Sequence, residues 1–237
     1  MDSGNIGFVL LCSAFVFVMT PGLAMFYGGL VRKKNVVNTM MTSIFIIGVG
    51  IVMWVLFGYS LSFAPSGNAF IGDFRWLGLE GVSLTEGYTD DASIPNMVFS
   101  AFQMMFAVIT PALITGAVAG RMKFKSIFIF TIFWSLIVYY PLAHMVWGQG
   151  GLLGADGIGA LDFAGGDVVH ISSGVSALVL CILLGKRHDY EHSIYRIHNI
   201  PTVVLGASLL MFGWFGFNAG SALAADGLAA HAFMTTG

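Results

Sequence analysis

One histidine stands in a long apolar segment, where a polar side chain has few hydrogen-bond partners. His170 follows residues 162–169, which read DFAGGDVV. A neutral imidazole both donates and accepts hydrogen bonds, so it could line a narrow path or relay a proton. A hydrogen bond to a neighbouring helix is the alternative, but polar groups inside a membrane are costly and favour function. No second His, Cys or carboxylate stands at ligand spacing on the same face, so a metal site is not predicted.

Two residues near this segment could meet a cation. Asp162 precedes a Gly-Gly pair, and capping a helix is slightly favoured over binding a cation at its mouth. Trp147 is equally compatible with an aromatic residue of the membrane interface and with a ring face that attracts a cation by about 0.5–2 kcal/mol. His144, three residues earlier, either supports the same mouth or fills a packing site.

Aromatic pairs offer a third kind of chemistry. Phe102 and Phe106 are four residues apart and therefore share a helix face, although 21 phenylalanines make such a pair common. The segment 212–221 reads FGWFGFNAGS and contains Phe217 and Ser221. It is either a helix packed through its glycines or a pore helix in which Ser221 offers an acceptor.

The composition decides which elements position these residues. Hydrophobic residues make up 57% of the 237-residue chain, charged residues 9%, and the mean hydropathy is +0.86. A soluble domain carries about 25% charged residues, so this chain cannot coat a water-facing surface. Disorder, a coiled coil, a disulfide scaffold and nucleic-acid binding are excluded. No metal, nucleotide or nucleophile motif supports an enzyme or a cofactor. The sequence predicts an all-α polytopic membrane protein.

Charged residues divide the chain into apolar windows. About 20 apolar residues cross the hydrocarbon core as a helix, and no open strand edge could be satisfied in lipid. The expected spans are 7–30, 39–64, 94–119, 124–147, 166–185 and 200–223, with a partial seventh from 227.

Basic residues indicate the orientation. Nine of the ten Lys and Arg residues fall in the loops 31–38, 120–125 and 186–198. Most acidic residues fall in the opposite loops. Because cytoplasmic loops carry the excess of Lys and Arg, these three loops are expected in the cytoplasm and the N-terminus outside the cell membrane.

At these residues the chain resembles the ammonium transporter family (Amt/Mep/Rh). Several long motifs in the right order carry the likeness, which runs from about residue 7 onward. The matching segments are PGLAMFYGG at 21–29, RKKN at 32–35, AHMVWG at 143–148, DFAGG at 162–166, VVH at 168–170 and GWFGFNAGS at 213–221. Trp147 and Ser221 resemble the Amt/Mep branch rather than the Rh branch.

The resemblance implies a fold of eleven helices, built from two five-helix halves of inverted topology. Residues 1–237 would then form a single transmembrane domain with the first repeat at 7–185 and the start of the second repeat after it. The family's second pore histidine belongs to a later helix. We therefore expect the 237 residues to be a fragment of a full transporter, and a truncated, non-conducting subunit is the alternative.

The resemblance also implies roles for the residues above. Trp147, Ser221 and Phe106 would recruit ammonium at the outer surface. Phe106 and Phe217 would form a gate, with Phe102 as its neighbour. His170 would be the first of the family's two pore histidines, and Asp162 a structural aspartate that maintains the site. Ammonium would lose its proton and pass inward as ammonia.

The resemblance further implies partners, namely two more copies in a homotrimer and a cytoplasmic PII-type regulator. The loop 186–198 could contact such a regulator through Lys186, Arg187, His188, His192, Arg196 and His198. On charge alone, a position near lipid headgroups explains this loop better. A sensor that binds ammonium at the same mouth and reports to a cytoplasmic partner is the alternative to a transporter.

Overall fold

The computed structural model describes residues 1–65, 67–155, 157–187, 190–191 and 194–237. The regular elements of these residues are all helices, which confirms the all-α fold class. Six of the described helices are long and apolar enough to cross a membrane: α1 (Ser3–Leu30), α2 (Lys33–Phe63), α3 (Asn96–Val118), α4 (Phe124–Trp147), α5 (Gly166–Leu184) and α6 (Ile200–Gly220). A shorter helix, α7 (Gly227–Thr236), follows them.

The helix ends differ from the expected bounds where local backbone geometry sets them. α1 begins at Ser3 rather than near 7, because the Asp2 carboxylate accepts a backbone N–H of the first turn. α2 begins at Lys33 rather than near 39, because a 3₁₀ turn precedes its α-helical part. α6 ends at Gly220 rather than near 223, and the chain then turns through Leu223, whose φ of 58° is left-handed.

α1 and α6 run antiparallel and approach each other through glycines. A Cβ atom at Gly206 would lie 2.3 Å from the Phe26 backbone N and 2.6 Å from the Gly22 carbonyl oxygen. A Cβ atom at Gly213 would lie 2.2 Å from the Met19 side chain. Non-bonded atoms cannot come so close, so this packing of the two backbones requires glycine.

Stacked aromatic rings hold the loop 64–95 against the ends of α2 and α3. Tyr59 of α2 stacks on Trp76 of the loop at 5.4 Å between ring centroids and 16° between planes. Tyr88 of the loop stacks on Phe99 of α3 at 4.7 Å and 5°. These pairs add to the apolar area that the loop buries, so the loop has a defined position over the helix ends.

Three of the membrane helices contain a π-helical turn. These turns span Trp54–Gly58 in α2, Ser135–Tyr139 in α4 and Gly166–Ile171 in α5. A π turn contains an extra residue, so it rotates the side chains that follow relative to a regular helix. In α5 the turn includes His170. Because of this π turn, the start of α5 differs from the regular helix that the sequence pattern predicts.

Alanine at Gly206 tests the close approach of α1 and α6. We expect Gly206→Ala to lower the free energy of unfolding by about 1–3 kcal/mol, because the methyl group would overlap backbone atoms that cannot turn aside. Thermal unfolding of the purified protein in detergent measures the change. Gly48→Ala is the matched control, because a Cβ atom there meets nothing within 4 Å. Equal melting temperatures for the two variants would contradict the packing argument.

Candidate functional site

The carboxylate of Asp162 organises the start of α5. Its Oδ1 accepts the N–H groups of Gly165 at 2.5 Å and Gly166 at 2.9 Å. Its Oδ2 accepts those of Asp167 at 2.8 Å and Val168 at 3.0 Å. This is the geometry of the capping alternative, and it takes up both carboxylate oxygens. Gly165 has a φ of 101°, a left-handed conformation that favours glycine at this sharp entry into the helix.

The backbone of Asp162 also fixes Trp147. The indole Nε1–H of Trp147, the last residue of α4, donates to the Asp162 carbonyl oxygen at 3.0 Å. The indole ring then lies edge-on to Phe106 of α3, with centroids 6.0 Å apart and planes at 81°. One aspartate therefore positions both the entry into α5 and the aromatic residue that ends α4.

Three phenylalanines form a contiguous group, which we call the aromatic layer: Phe102, Phe106 and Phe217. The centroids of Phe106 and Phe217 are 4.4 Å apart, and those of Phe102 and Phe106 are 4.9 Å apart. Each of the three side chains is at most 2% exposed. The structure therefore brings Phe102 and Phe106 of α3 together with Phe217 of α6, which is far away in the sequence.

His170 lies on the other side of Phe217. Their ring centroids are 6.0 Å apart, and the imidazole also stacks on Trp214 at 5.4 Å and 29°. His170 Nδ1 is 2.9 Å from the Gly165 carbonyl oxygen. Because a carbonyl only accepts, Nδ1 carries the hydrogen, and in the neutral ring Nε2 is left as the acceptor. The sequence reasoning gave Trp214 no role, although it precedes Phe217 by three residues and so shares its helix face.

Ser221 follows the last turn of α6. Its hydroxyl donates to the Phe217 carbonyl oxygen at 2.8 Å, so its lone pairs remain available to a donor. Ser221 therefore cannot donate elsewhere without giving up this bond, but it can accept.

A cavity of about 700 Å³ opens above the aromatic layer, on the side of the loop 64–95. We call it the loop-side cavity. The predicted site residues that line it are Phe102, Phe106, Trp147, Asp162 and Ser221. Phe217 belongs to the aromatic layer and His170 lies beyond it, and neither residue lines the cavity.

Two of the other residues that line this cavity have polar side chains: Tyr88 and Gln103. Tyr88 accepts the backbone N–H of Gln149 at 3.0 Å, and burial raises the pKa of Tyr88 to about 12, so its hydroxyl stays neutral. Gln103 of α3 also lines the cavity, and its Oε1 is buried without a hydrogen-bond partner among the described residues. The only sequence signal for Gln103 is its spacing: it precedes Phe106 by three residues and therefore shares a helix face with it.

His144 lies outside the cavity wall and is fully buried. Its Nδ1 is 3.1 Å from the carbonyl oxygen of Ser62 and its Nε2 is 2.8 Å from that of Asn68. The side chain therefore joins α4 to the end of α2 and the residues after it. This is the packing alternative, and it also steadies the helix that ends in Trp147.

The loop 186–198 is described in part, and His188 and His192 lie outside the described residues. Lys186 pairs with Glu191 at 3.0 Å, and both side chains are exposed. The Arg187 guanidinium lies 4.6 Å from the centroid of the Tyr195 ring. Among the described residues, no group of three His, Cys, Asp or Glu side chains could hold a metal ion.

The six apolar helices, with a half-buried histidine and a buried aromatic layer among them, define a membrane protein whose candidate site lies between its helices. Residues 7–237 match the family model of the Ammonium Transporter Family, so the chain belongs to this family. Membership together with the six apolar helices makes it a multi-pass membrane protein.

Individual relatives agree with this assignment. The chain is 52% identical over 236 residues to the ammonium transporter of Bacillus subtilis, an alignment that covers 100% of this chain and 57% of that protein. The crystal structure of Saccharomyces cerevisiae Mep2 matches with a TM-score of 0.87 and 36% identity, covering 99% of this chain and 52% of that one. A sensor Amt protein matches with a TM-score of 0.82 and 28% identity, covering 96% and 56%. The chain therefore spans about half the length of the relatives it matches.

Removal of the Asp162 carboxylate tests its role as a cap. We expect Asp162→Ala to lower the free energy of unfolding by about 2–4 kcal/mol, because four N–H groups lose a charged acceptor. Hydrogen–deuterium exchange should show lost protection at residues 165–168 before the rest of α5.

Asp226→Ala is the matched control, since that carboxylate caps α7 through one N–H bond, to Ala229 at 2.9 Å. It should cost about 1 kcal/mol. If both substitutions lowered the free energy of unfolding by the same amount, the four hydrogen bonds of the Asp162 cap would not stabilise the protein more than the single bond of the Asp226 cap.

Proposed function

We propose that this protein transports ammonium across the membrane, passing it through the aromatic layer as ammonia. One observation carries the proposal, namely the unbroken series of ring contacts from Trp147 through Phe106 and Phe217 to His170. Successive centroids in this series are 6.0, 4.4 and 6.0 Å apart. A cavity that ends on an apolar layer with a histidine behind it suits a substrate that can give up its charge. Membership in the ammonium transporter family supports the choice of substrate.

Recruitment takes place in the loop-side cavity. The rings of Trp147 and Phe106 attract a cation by about 0.5–2 kcal/mol each, depending on how far it is desolvated. Ser221 adds a hydrogen-bond acceptor, because its own hydrogen is already given to the Phe217 carbonyl. The Asp162 carboxylate does not bind the substrate directly, since four backbone N–H groups occupy it.

Deprotonation follows from the cost of carrying charge into the layer. An isolated ion in a medium of low dielectric constant costs tens of kcal/mol on Born arithmetic, whereas neutral ammonia does not carry this cost. Ammonium gives its proton to water in the loop-side cavity, and ammonia then passes between Phe106 and Phe217 and meets the Nε2 acceptor of His170. The proton crosses separately with His170 as its relay, so each molecule transported carries one positive charge. A potassium ion has no proton to give up, so the same layer excludes it.

The wider assembly belongs to the same proposal. Residues 1–237 form one transmembrane domain, in which 7–185 is the first five-helix repeat and α6 begins the inverted second one. The N-terminus lies outside the cell membrane, and three copies of the protein assemble as a homotrimer. On the cytoplasmic side, the basic loop 186–198 contacts a PII-type regulator or lipid headgroups. The basic residues Lys186, Arg187 and Arg196 support contact of this loop with one of these partners.

A second candidate function is ammonium sensing, in which the same cavity binds ammonium and the protein reports to a cytoplasmic partner. The match to a sensor Amt protein favours this candidate. The aromatic layer and His170 favour transport, because a sensor needs the cavity but not a path behind it.

Ammonium-induced current tests transport. The full-length protein is reconstituted in liposomes on a solid-supported membrane and given a pulse of ammonium. We expect a current that falls about tenfold or more in His170→Ala, because the path loses the acceptor at Nε2. His231→Ala is the control, since His231 is exposed on α7 and is not among the residues that line the loop-side cavity.

Absence of current from the folded wild-type protein, together with measurable ammonium binding, would favour sensing. Absence of both would favour a non-conducting subunit. Equal currents from wild type and His170→Ala would remove His170 from the path.

Membrane-impermeant maleimide labelling tests the orientation. In a background without Cys12 and Cys181, we expect Glu80→Cys to label in intact cells and Lys186→Cys to label only after the cells are opened. Both positions are exposed, so access depends on the side of the membrane alone. The reverse pattern would place the N-terminus in the cytoplasm.

A further inference from the structure

One polar side chain in the wall of the loop-side cavity has no structural explanation. Gln103 is 8% exposed, and its Oε1 is buried with no hydrogen-bond partner among the described residues. A buried acceptor without a donor loses its bonds to water and gains none, which destabilises the folded state. An apolar side chain of the same length would avoid this loss, so the amide needs another reason to be there.

The position of Gln103 suggests what the donor is. Gln103 lies on α3 beside Phe102 and three residues before Phe106, and the three line the cavity together. Ser221 and Trp147 line the same cavity. The amide group is therefore part of the wall at which the proposed function places ammonium. Its Oε1 has no exposed surface in the empty site, so it meets the ion only after the amide turns about its Cγ–Cδ bond.

Three of the other acceptors around the cavity are already occupied. The Asp162 carboxylate receives four N–H groups, Asn5 Oδ1 receives the N–H of Ala225 at 2.9 Å, and the Tyr88 hydroxyl receives that of Gln149 at 3.0 Å. Ammonium brings four N–H donors. Ser221 Oγ can accept one of them. The faces of the Trp147 and Phe106 rings attract the positive charge but offer no lone pair to an N–H group.

We propose that Gln103 Oε1 is a second hydrogen-bond acceptor for the recruited ammonium ion, together with Ser221 Oγ. This inference rests on the proposed function. Gln103 Oε1 has no hydrogen bond in the empty site and forms one only when ammonium is bound. It therefore sets affinity for the cation rather than the stability of the fold.

Two substitutions separate this role from packing. Gln103→Met has similar length and no comparable acceptor, whereas Gln103→Glu keeps a carbonyl acceptor in either protonation state. In the full-length protein we expect Gln103→Met to raise the KM of the ammonium current about tenfold, as for loss of one hydrogen bond to a charged group. The maximal current should stay within about twofold of wild type. Gln103→Glu should keep a KM close to that of wild type or below it.

Thermal unfolding of the ammonium-free protein supplies the readout that a packing role would not give. Gln103→Met should melt at the wild-type temperature or above it, because it removes the unpaired acceptor. An unchanged KM in Gln103→Met would overturn the proposal, and so would a raised KM accompanied by lower melting temperatures in both variants.

Calorimetric titration with ammonium chloride keeps this test separate from transport. If the wild type carries no current but binds ammonium, weaker binding by Gln103→Met alone still supports the second acceptor, although the transport proposal fails. If the wild type conducts and both variants bind ammonium equally well, transport stands and the role of Gln103 is refuted.

Discussion

The four hydrogen bonds to the Asp162 carboxylate are the constraint on which the rest of the site depends. Helix N-termini leave backbone N–H groups without partners, and here that end is placed beside the cavity and the aromatic layer. By accepting from 165–168, the carboxylate allows α5 to start with a tight glycine turn followed by a π turn. The Gly165 carbonyl then faces His170 Nδ1, and the Asp162 carbonyl faces Trp147 Nε1. One residue thus fixes the tautomer of the histidine and the direction of the indole.

Much of the fold follows from the sequence, because charged residues are sparse and long apolar windows permit few structures in lipid. The helix ends were less predictable, since they depend on single contacts such as the Asp2 cap and the left-handed Leu223. Glycines four apart at 216 and 220 indicated close packing, and a Cβ atom at Gly220 would indeed lie 2.6 Å from Cys12 Cβ. The partner helix could not be read from that spacing, because it depends on how distant segments assemble.

The candidate site divides in the same way. The sequence pattern could suggest that Asp162 caps a helix, because the capping residue and its glycines are adjacent in the chain. It could not reveal that Trp147 donates to the Asp162 carbonyl, since that bond depends on the course of the intervening loop. Nor could it show that Gln103 lacks a partner, because a missing contact is a property of the packed structure. His144 was left open for the same reason, as its two carbonyl neighbours come from residues far away in sequence.

The glycine contacts between α1 and α6 also have a consequence for motion. Phe217 lies on α6, whose rotation about its own axis is blocked where Gly206 and Gly213 meet the backbone and side chains of α1. Turning α6 by a single residue would swing Phe217 through roughly 100° and drive side chains into those contacts. Under the proposed function, passage through the aromatic layer would therefore depend on rotation of the rings about their side-chain bonds. Such rotations are faster than helix displacement, so the layer would open briefly while the backbone around it stays still.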